Sequence, residues 1–499
     1  MKMVKSLLLG TAAGLVAMTG AQAADLPVKA KAAEYVKICS LYGAGFYYIP
    51  GTDICLKVGG HVRFQMWSGN PQDTSKGGMT SAWGTRYSDS DIGMQSRAWL
   101  THDTRQQSAY GVVRTYMLMG FNTANEGVTA VGGSATGSAG TNLYVNRGFI
   151  QFAGFTFGRA QSFFDIYPNA SFSVQAGANY VADTGDGGVN LAGYTATLGN
   201  GVSATVAIEQ SRRNATIDGN NTSGVTFDVS GVKPGNVNEG ISGFASGTTK
   251  PDFVGNLRVD QAWGSILVGG AMHDASSSYY GGISHLAGHA SDKWGYAGTA
   301  GFIWNLPMIA AGDRLSAQFA YTAGATKYAE NTPGSLLKRS GSTIGFGIQS
   351  DGVVTAGASG SIELTTAWSI TGAFEHLWTP ALRTSFYGSY LSTTYTDAGK
   401  LAICNAFSGT SGIGTAAAAA GCDPNWSAYN IGSRTQWQPV KDLAINFDLM
   451  YMKLNSMKTA TGLAAVGAIS TAGIGAGTYT VSDQSAWVGT IRVERSFVP

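Results

Sequence analysis

The chain is constrained most by a strict alternation of short and long links between segments whose side chains follow a period of two. Around residue 205, Val202, Ala204, Val206 and Ile208 interleave with Ser203, Thr205 and Glu209. Near 318, Leu315, Ala317, Phe319 and Tyr321 interleave with Arg314, Ser316, Gln318 and Thr322. Further on, Leu443, Ile445, Phe447, Leu449 and Tyr451 oppose Ala444, Asn446, Asp448 and Met450, and Trp487, Ile491 and Val493 oppose Thr490, Arg492 and Glu494. Period two sends one set to each face of a strand, here one apolar and aromatic face and one polar and charged face.

Compact, turn-like links fall at Thr101 to Arg105, Ala153 to Gly154, Gly199 to Gly201, Trp263 to Gly264, Leu306 to Gly312, Thr379 to Ala381 and Pro439 to Asp442. Between them run long stretches rich in Gly, Ser, Thr and Asn, near 69–90, 122–141, 163–190, 212–251, 275–292, 324–361, 396–424 and 456–483; Ala416 to Ala420 is low in complexity. All short links therefore lie at one end of an up-and-down array and all long ones at the other. This asymmetry belongs to outer-membrane barrels, with short periplasmic turns and long extracellular loops. The count is about sixteen strands of roughly 9 to 15 residues, near the ~10 needed to cross a bilayer at a tilt. An even count puts both termini on the periplasmic side, and closure leaves no bare edge in lipid. The expected fold is all-β, a transmembrane up-and-down antiparallel barrel wide enough to hold a water-filled channel.

The first residues fit an exported destination. Lys2 and Lys5 precede an apolar stretch from Ser6 to Met18, which ends in Ala21-Gln22-Ala23, a signal-peptidase pattern. Residues 1–23 are expected to be a cleaved signal peptide and 24–499 one barrel in the bacterial outer membrane. Removing Lys2 and Lys5 from 32 basic residues leaves 30 against 30 acidic ones, so the basic surplus of a nucleic-acid partner is missing. With 70 Gly and only 12% charged residues, the composition is not that of an ordinary soluble enzyme. The four cysteines form two local pairs, Cys39 with Cys55 and Cys404 with Cys422, read as disulfides of an oxidising compartment, with free thiols as the alternative. Each bridge would close a loop of roughly 16 to 18 residues, worth about 3 kcal/mol on the chain-entropy model.

Neither a metal nor a cofactor is expected. His285 and His289 sit in the loop segment SHLAGHASD and read as solvated residues rather than ligands. There is no Gly-x-Ser-x-Gly elbow and no phosphate-binding Gly-rich loop with its Lys, and no acid and base can be paired from spacing alone, so the chain is not read as an enzyme. A hydrolase built on an outer-membrane barrel would need a Ser, His and acid cluster near one rim, where only His102 and His376 are strand-edge histidines. A secreted β-sandwich that binds carbohydrate would stay soluble without detergent, so membrane fractionation separates it from both barrels.

Four stretches carry a family resemblance: AADLPVKAKAAEYVKICSLYGAGFYYIPGTDICLKVGGHVRFQ at 23–65, RGFIQFAGFTFGRAQSFFD at 147–165, FEHLWTPALRTSFYGSYLSTTY at 374–395, and CDPNWSAYNIGSRTQWQPVKDLAINFDLMYMKLN at 422–455. They resemble the alphaproteobacterial general porins and span the mature chain from end to end. The resemblance implies a sixteen-stranded, water-filled homotrimer in outer-membrane lipid that passes small hydrophilic solutes and ions. One departure is at the C-terminus, where Phe497 is followed by Val498 and Pro499 instead of ending the chain on an aromatic.

The resemblance also implies that the third long loop, about 163–190, folds inward and narrows the pore. That loop carries Asp165, Asp183 and Asp186, with no Lys or Arg from 166 to 192. Facing basic wall residues, it would set up a transverse field that orients polar solutes. Arg97, Arg114, Arg147 and Arg159 are the wall candidates, each on a strand close to the loop in sequence. Arg97 shares its face with Gln95 while Ala98 and Leu100 take the other, and Arg147 aligns with Gln151. A lumen-facing position is favoured because Arg at the lipid midplane costs roughly 2 to 4 kcal/mol. Trp99, Tyr116, Phe121, Trp263, Trp304, Trp378 and Trp437, near strand ends, suit interfacial girdles or trimer packing equally.

Overall fold

A computed structural model describes residues 37–68, 92–124, 140–166, 172–175, 184–185, 187–214, 216–218, 250–279, 286, 288–330, 336–355, 360–408, 421–460, 462–466 and 477–497. The proposed signal peptide, His285 and the Ala416 to Ala420 run lie outside these residues. Sixteen antiparallel strands form one closed barrel. In chain order they are β1 Cys55–Ser68, β2 Ile92–Ser108, β3 Gly111–Ala124, β4 Gly140–Phe152, β5 Phe155–Ala160, β6 Val189–Gly199, β7 Val202–Glu209 and β8 Asp252–Gln261. The second half is β9 Gly264–Asp274, β10 Trp294–Asn305, β11 Arg314–Ala323, β12 Thr366–Thr379, β13 Leu382–Thr394, β14 Trp426–Val440, β15 Leu443–Asn455 and β16 Gln484–Ser496. Each strand pairs with its sequence neighbour, and β1 closes on β16 from His61 opposite Ser496 to Ser68 opposite Gly489. A two-residue strand, Tyr47–Tyr48, adds to β1 beside the Cys39–Cys55 disulfide; the Cys404–Cys422 disulfide is formed as well.

Six of the seven short links sit where the sequence places them. The β6–β7 hairpin is tight because Asn200 and Gly201 both adopt positive φ, 49° and 74°, which matches the twist of the flanking strands. A Cβ on Gly201 would lie 2.1 Å from the Asp260 carbonyl oxygen of β8, so no other residue fits there. The exception is Thr101 to Arg105, expected as a turn. β2 runs through it, and the hairpin turns at Ala109–Tyr110. Thr101, Asp103 and Arg105 alternate with Leu100 and His102 as strand residues do, so the polar run marks an inward face rather than a turn.

Alternation sorts the side chains as expected of a membrane barrel. Phe386 and Phe447 are 57% and 55% exposed on the outer face, while their neighbours Ser385 and Asp448 are fully buried on the inner one. Trp263, Trp304, Trp378 and Trp437 are exposed near the short-turn end, at the level of an aromatic girdle, and Phe121 is exposed on the outer face of β3. Trp99 and Tyr116 depart from that expectation: their register partners are inward-facing, and Trp99 is 8% exposed. In each case the period-two count, not the nearness of an aromatic to a strand end, decides the face.

The inner face is not uniformly polar. On β13 to β16, Leu391, Ala428, Met450, Met452, Leu454 and Val488 point inward and are fully buried. They pack against residues from the long links, among them Phe172, Ile344, Phe346, Ile348, Val353, Tyr395 and Ile403. Parts of three long links form small sheets of their own. Leu336–Ser340, Thr343–Gly347, Leu463–Val466 and Gly477–Val481 make one, and Ile217–Asp218, Gly352–Val354 and Ile362–Leu364 another. The link after β13 holds a helix, α1 (Asp397–Ser408), where the sequence predicts a long link without one. Thr396 caps it by accepting from the Gly399 amide, and Asp397 favours the positive end of its dipole. Ile403 and Cys404 are buried. The hydrophobic core of this molecule thus lies within the barrel.

Leu391→Ala should therefore destabilise the refolded barrel by roughly 2 to 5 kcal/mol, the usual cost of a core Leu truncation. Val206→Ala, on the outer face, should cost under about 1.5 kcal/mol because no close-packed cavity is left. Urea unfolding of detergent-refolded protein followed by tryptophan fluorescence measures both.

Candidate pore lining

Inward-facing charged and hydroxyl side chains form a continuous row across five strand pairs. In register, Arg314 of β11 lies opposite Glu375 of β12, followed by Ser385, Arg434, Asp448 and Thr490 on β13 to β16. Glu375 receives Arg314 at 2.9 Å and Arg434 through its other oxygen, with Arg383 3.7 Å away. The row continues beyond closure, where Arg492 Nε donates to Gln65 Oε1 at 3.0 Å and Gln65 donates to Gln95 at 2.8 Å. Arg97 reaches Asn122 and stacks over the Trp99 and Tyr144 rings, both at 5.5 Å. Nearer the short-turn end, Arg114 holds Asp103 through two hydrogen bonds of 3.0 and 2.9 Å, and Arg105 joins the same carboxylate.

The described residues of the segment between β5 and β6 contact this face. Its first residues are fixed by Glu209 of β7, which accepts from Ser162 Oγ at 2.6 Å and from the Phe163 amide at 2.9 Å. Asn256 of β8 donates to the Phe163 carbonyl, and Ile166 lies so close to Gly301 of β10 that a Cβ there would meet it at 2.9 Å. Residues 172–175 contact strands of the other half. Ser173 Oγ and the Val174 amide donate to Asp448 of β15 at 2.8 and 2.7 Å. Thr490 of β16 donates to Gln175 Oε1 at 2.8 Å, and Arg492 donates to the Val174 carbonyl at 2.7 Å. Tyr387 donates its phenol to Asp448 at 2.5 Å, across Gly432, where a Cβ would stand 2.4 Å from the ring. The returning end is held by Arg147, whose guanidinium donates to the Gly185 carbonyl at 2.7 Å.

A second group of buried charges ties the links to one another. Arg212 lies 3.5 Å from Asp165 and 3.7 Å from Glu209, over the ring of Tyr328 at 4.6 Å. Burial alone would lower its pKa, but the Asp165 carboxylate and its acidic neighbours hold it above the ordinary value. Asp252 accepts from the Arg212 amide at 3.0 Å and from Tyr328 Oη at 2.8 Å, and pairs with His273 at 2.7 Å. Asp351 accepts from the amides of Asn214 and Thr326 at 2.6 and 2.8 Å. Removing one member of such a cluster leaves a partner charge buried and unpaired, which costs roughly 3 to 5 kcal/mol.

The sequence candidates separate on these facts. Arg97, Arg114 and Arg147 lie on the inward face and are brought onto one wall, β2 to β4. Arg159 is not. It pairs with Gly148, on the face it shares with Phe155 and Phe157, and its Nε reaches the Asn146 and Gly187 carbonyls. The lipid cost that argued for the lumen is met differently: at the long-link end of a six-residue strand, the side chain reaches backbone acceptors. Asp165 also departs from its expected role. It is 4% exposed and is occupied by Thr184 and Arg212, so it holds the segment together instead of facing solutes. Asp183 and Asp186 lie outside the described residues. The sequence reading missed Arg63, Arg314, Arg383, Arg434 and Arg492, although each shows the same signal as Arg97, a basic residue on the polar phase of an alternating strand. Among the described residues no group of three or more His, Cys, Asp and Glu is placed to hold a metal ion. His376 pairs with Asp313 at 2.7 Å beside Trp378, and His289 bonds the Ala290 carbonyl.

The sequence profile described as the Porin subfamily matches residues 25–490. The chain belongs to this porin subfamily. Porin Omp2b of Brucella melitensis biotype 1 is 36% identical over 275 residues, which cover 53% of this chain and 64% of that protein. Porin Omp2b of Brucella canis is 35% identical over the same length and shares. The alignments thus span somewhat under two thirds of these curated porins. The crystal structure of the outer membrane channel DcaP of Acinetobacter baumannii superposes with a TM-score of 0.56 at 12% identity, covering 90% of this chain and 99% of that one, which is a likeness of fold.

The opposed faces of Arg147 and Arg159 give a direct check. The described cysteines are all disulfide-bonded, so a new thiol is the reporter. In planar bilayers, a membrane-impermeant anionic thiosulfonate should change the current through Arg147→Cys and leave that through Arg159→Cys unchanged.

Proposed function

We propose that this protein is a passive diffusion channel of the bacterial outer membrane for small hydrophilic solutes and ions. The observation that carries the reading is a closed sixteen-stranded barrel with an apolar outer face and a row of charged and hydroxyl side chains on its inner one. A sheet of this width encloses more space than its own side chains fill. Residues 1–23 direct export and are removed, and the channel assembles as a homotrimer, as the family resemblance implies.

The link between β5 and β6 narrows the passage. Its hydrogen bonds to Glu209 on one side and to Asp448, Thr490 and Arg492 on the other support this, because they fix Ser162–Phe163 and residues 173–175 to different walls of the barrel. Inward packing of the later links on β13 to β16 leaves the passage along the arginine wall of β16 and β1 to β4. With Asp165 sequestered, Asp183 and Asp186 are the acidic side chains of that link available to face Arg97, Arg114 and Arg147. Opposed charge across a low-dielectric constriction orients polar solutes and sets ion preference.

Reconstitution tests this reading. The wild-type protein should form discrete channels in planar bilayers and admit small sugars in liposome swelling. Neutralising Arg97, Arg114 and Arg147 together to Gln should shift the zero-current potential in a salt gradient toward cation preference. If conductance and ion preference both stay at wild-type values, these arginines do not line the constriction.

A further inference from the structure

Three arginines meet on the inner wall where the barrel closes. Arg63 of β1 stands directly opposite Arg97 of β2, and Gln65, two residues on, stands opposite Arg492 of β16. Like charges directly across a strand pair are destabilising, and folded sheets ordinarily separate them. Other arginines of the inner wall have a carboxylate: Arg114 has Asp103, while Arg314 and Arg434 share Glu375. Arg63 makes no ion pair among the described residues: Glu494, directly opposite it on β16, lies 3.9 Å from His61 and more than 4 Å from the Arg63 guanidinium. It is 9% exposed, its Nε is buried without a hydrogen-bond partner, and its guanidinium rests on the Trp99 ring at 5.4 Å. An unsatisfied donor of a charged group costs more than a neutral one, so its retention calls for an acceptor that the described residues do not supply.

The surroundings are arranged in advance. Arg97 is fixed by Asn122 and by two aromatic rings, and Arg492 by Gln65 and the Val174 carbonyl. Among the described residues, Arg97, Arg492 and Glu494 are the charged groups that act most strongly on Arg63, two guanidinium groups against one carboxylate. A planar fork of N–H donors that lacks a partner, flanked by two more, is the chemistry that recognises tetrahedral and planar oxyanions. The sheet separates this face from lipid, so the occupant is a free solute and not a lipid headgroup.

Resting on the channel reading above, we infer that Arg63, Arg97 and Arg492 form a binding site for a small oxyanion of two negative charges, of the phosphate class, within the passage. The site would hold such solutes transiently and favour their entry over neutral solutes of equal size.

The test uses inorganic phosphate on the reconstituted full-length protein. Chloride current through single channels should fall saturably as phosphate is added at constant ionic strength, and acetate should have no such effect. Arg63→Gln should still conduct chloride but require about tenfold more phosphate, the loss of one hydrogen bond to a charged group. Arg63→Lys, which keeps the charge and loses the fork, should fall between the two. Channels that conduct but treat phosphate like acetate overturn the site and leave the channel reading standing. If no channel forms, the channel reading fails, and calorimetric titration of the detergent-solubilised protein with phosphate decides the site by itself. There, heat that saturates in the wild type and weakens in Arg63→Gln supports it; no heat overturns it.

Discussion

Backbone hydrogen bonding at the seam between β1 and β16 is the constraint on which the rest of the molecule depends. In hydrocarbon an unpaired N–H or C=O costs several kcal/mol, so a sheet can stand there only if its first strand pairs with its last. Closing sixteen strands fixes a circumference, and the circumference leaves an interior that the strands' own side chains do not fill. The long links gather there. Ile344, Phe346, Ile348 and Ile403 meet Leu391, Met450, Met452 and Leu454 in an apolar core, and buried carboxylates at Asp448, Asp252 and Asp351 accept the backbone and side-chain donors that arrive with them.

Asymmetry follows from where that core sits. It covers the inner faces of β13 to β16 near the long-link end, whereas the adjoining arc across the seam, β1 to β4, carries Arg63, Arg97, Arg114 and Arg147. A passage along this arc would be basic on its wall, and solutes would meet fixed guanidinium groups held in place by aromatic rings and amide side chains. Rigid placement matters because field strength at a constriction depends on where charges are held, not on how many are present.

Much of the fold was legible because it rests on local rules. Period two assigned Arg97, Arg114 and Arg147 to the inner face, link lengths gave the strand order, and cysteine spacing gave both disulfide pairs. What could not be read depends on contacts distant in the chain. Asp448 meets Val174 across 274 residues, and nothing in either segment announces the other. Asp165 looked like a pore acid because charge was counted without partners; Thr184 and Arg212 claim it. Arg159 departs from the expected face because it stands at a strand end, away from the lipid midplane, where carbonyls lie within reach. The turn expected at Thr101 to Arg105 failed for the opposite reason, an inward polar face mistaken for a break.

The proposed constriction rests on Asp448 more than on any other side chain, since it anchors the link between β5 and β6 to the far wall through Ser173 and Val174. Single-channel conductance of Asp448→Asn, which keeps the volume but weakens both acceptors, tests this most directly. A release of the segment would give larger and noisier openings than the wild type. Openings of unchanged size and stability in a correctly folded variant would contradict the view that this link, held across the barrel, sets the width of the channel.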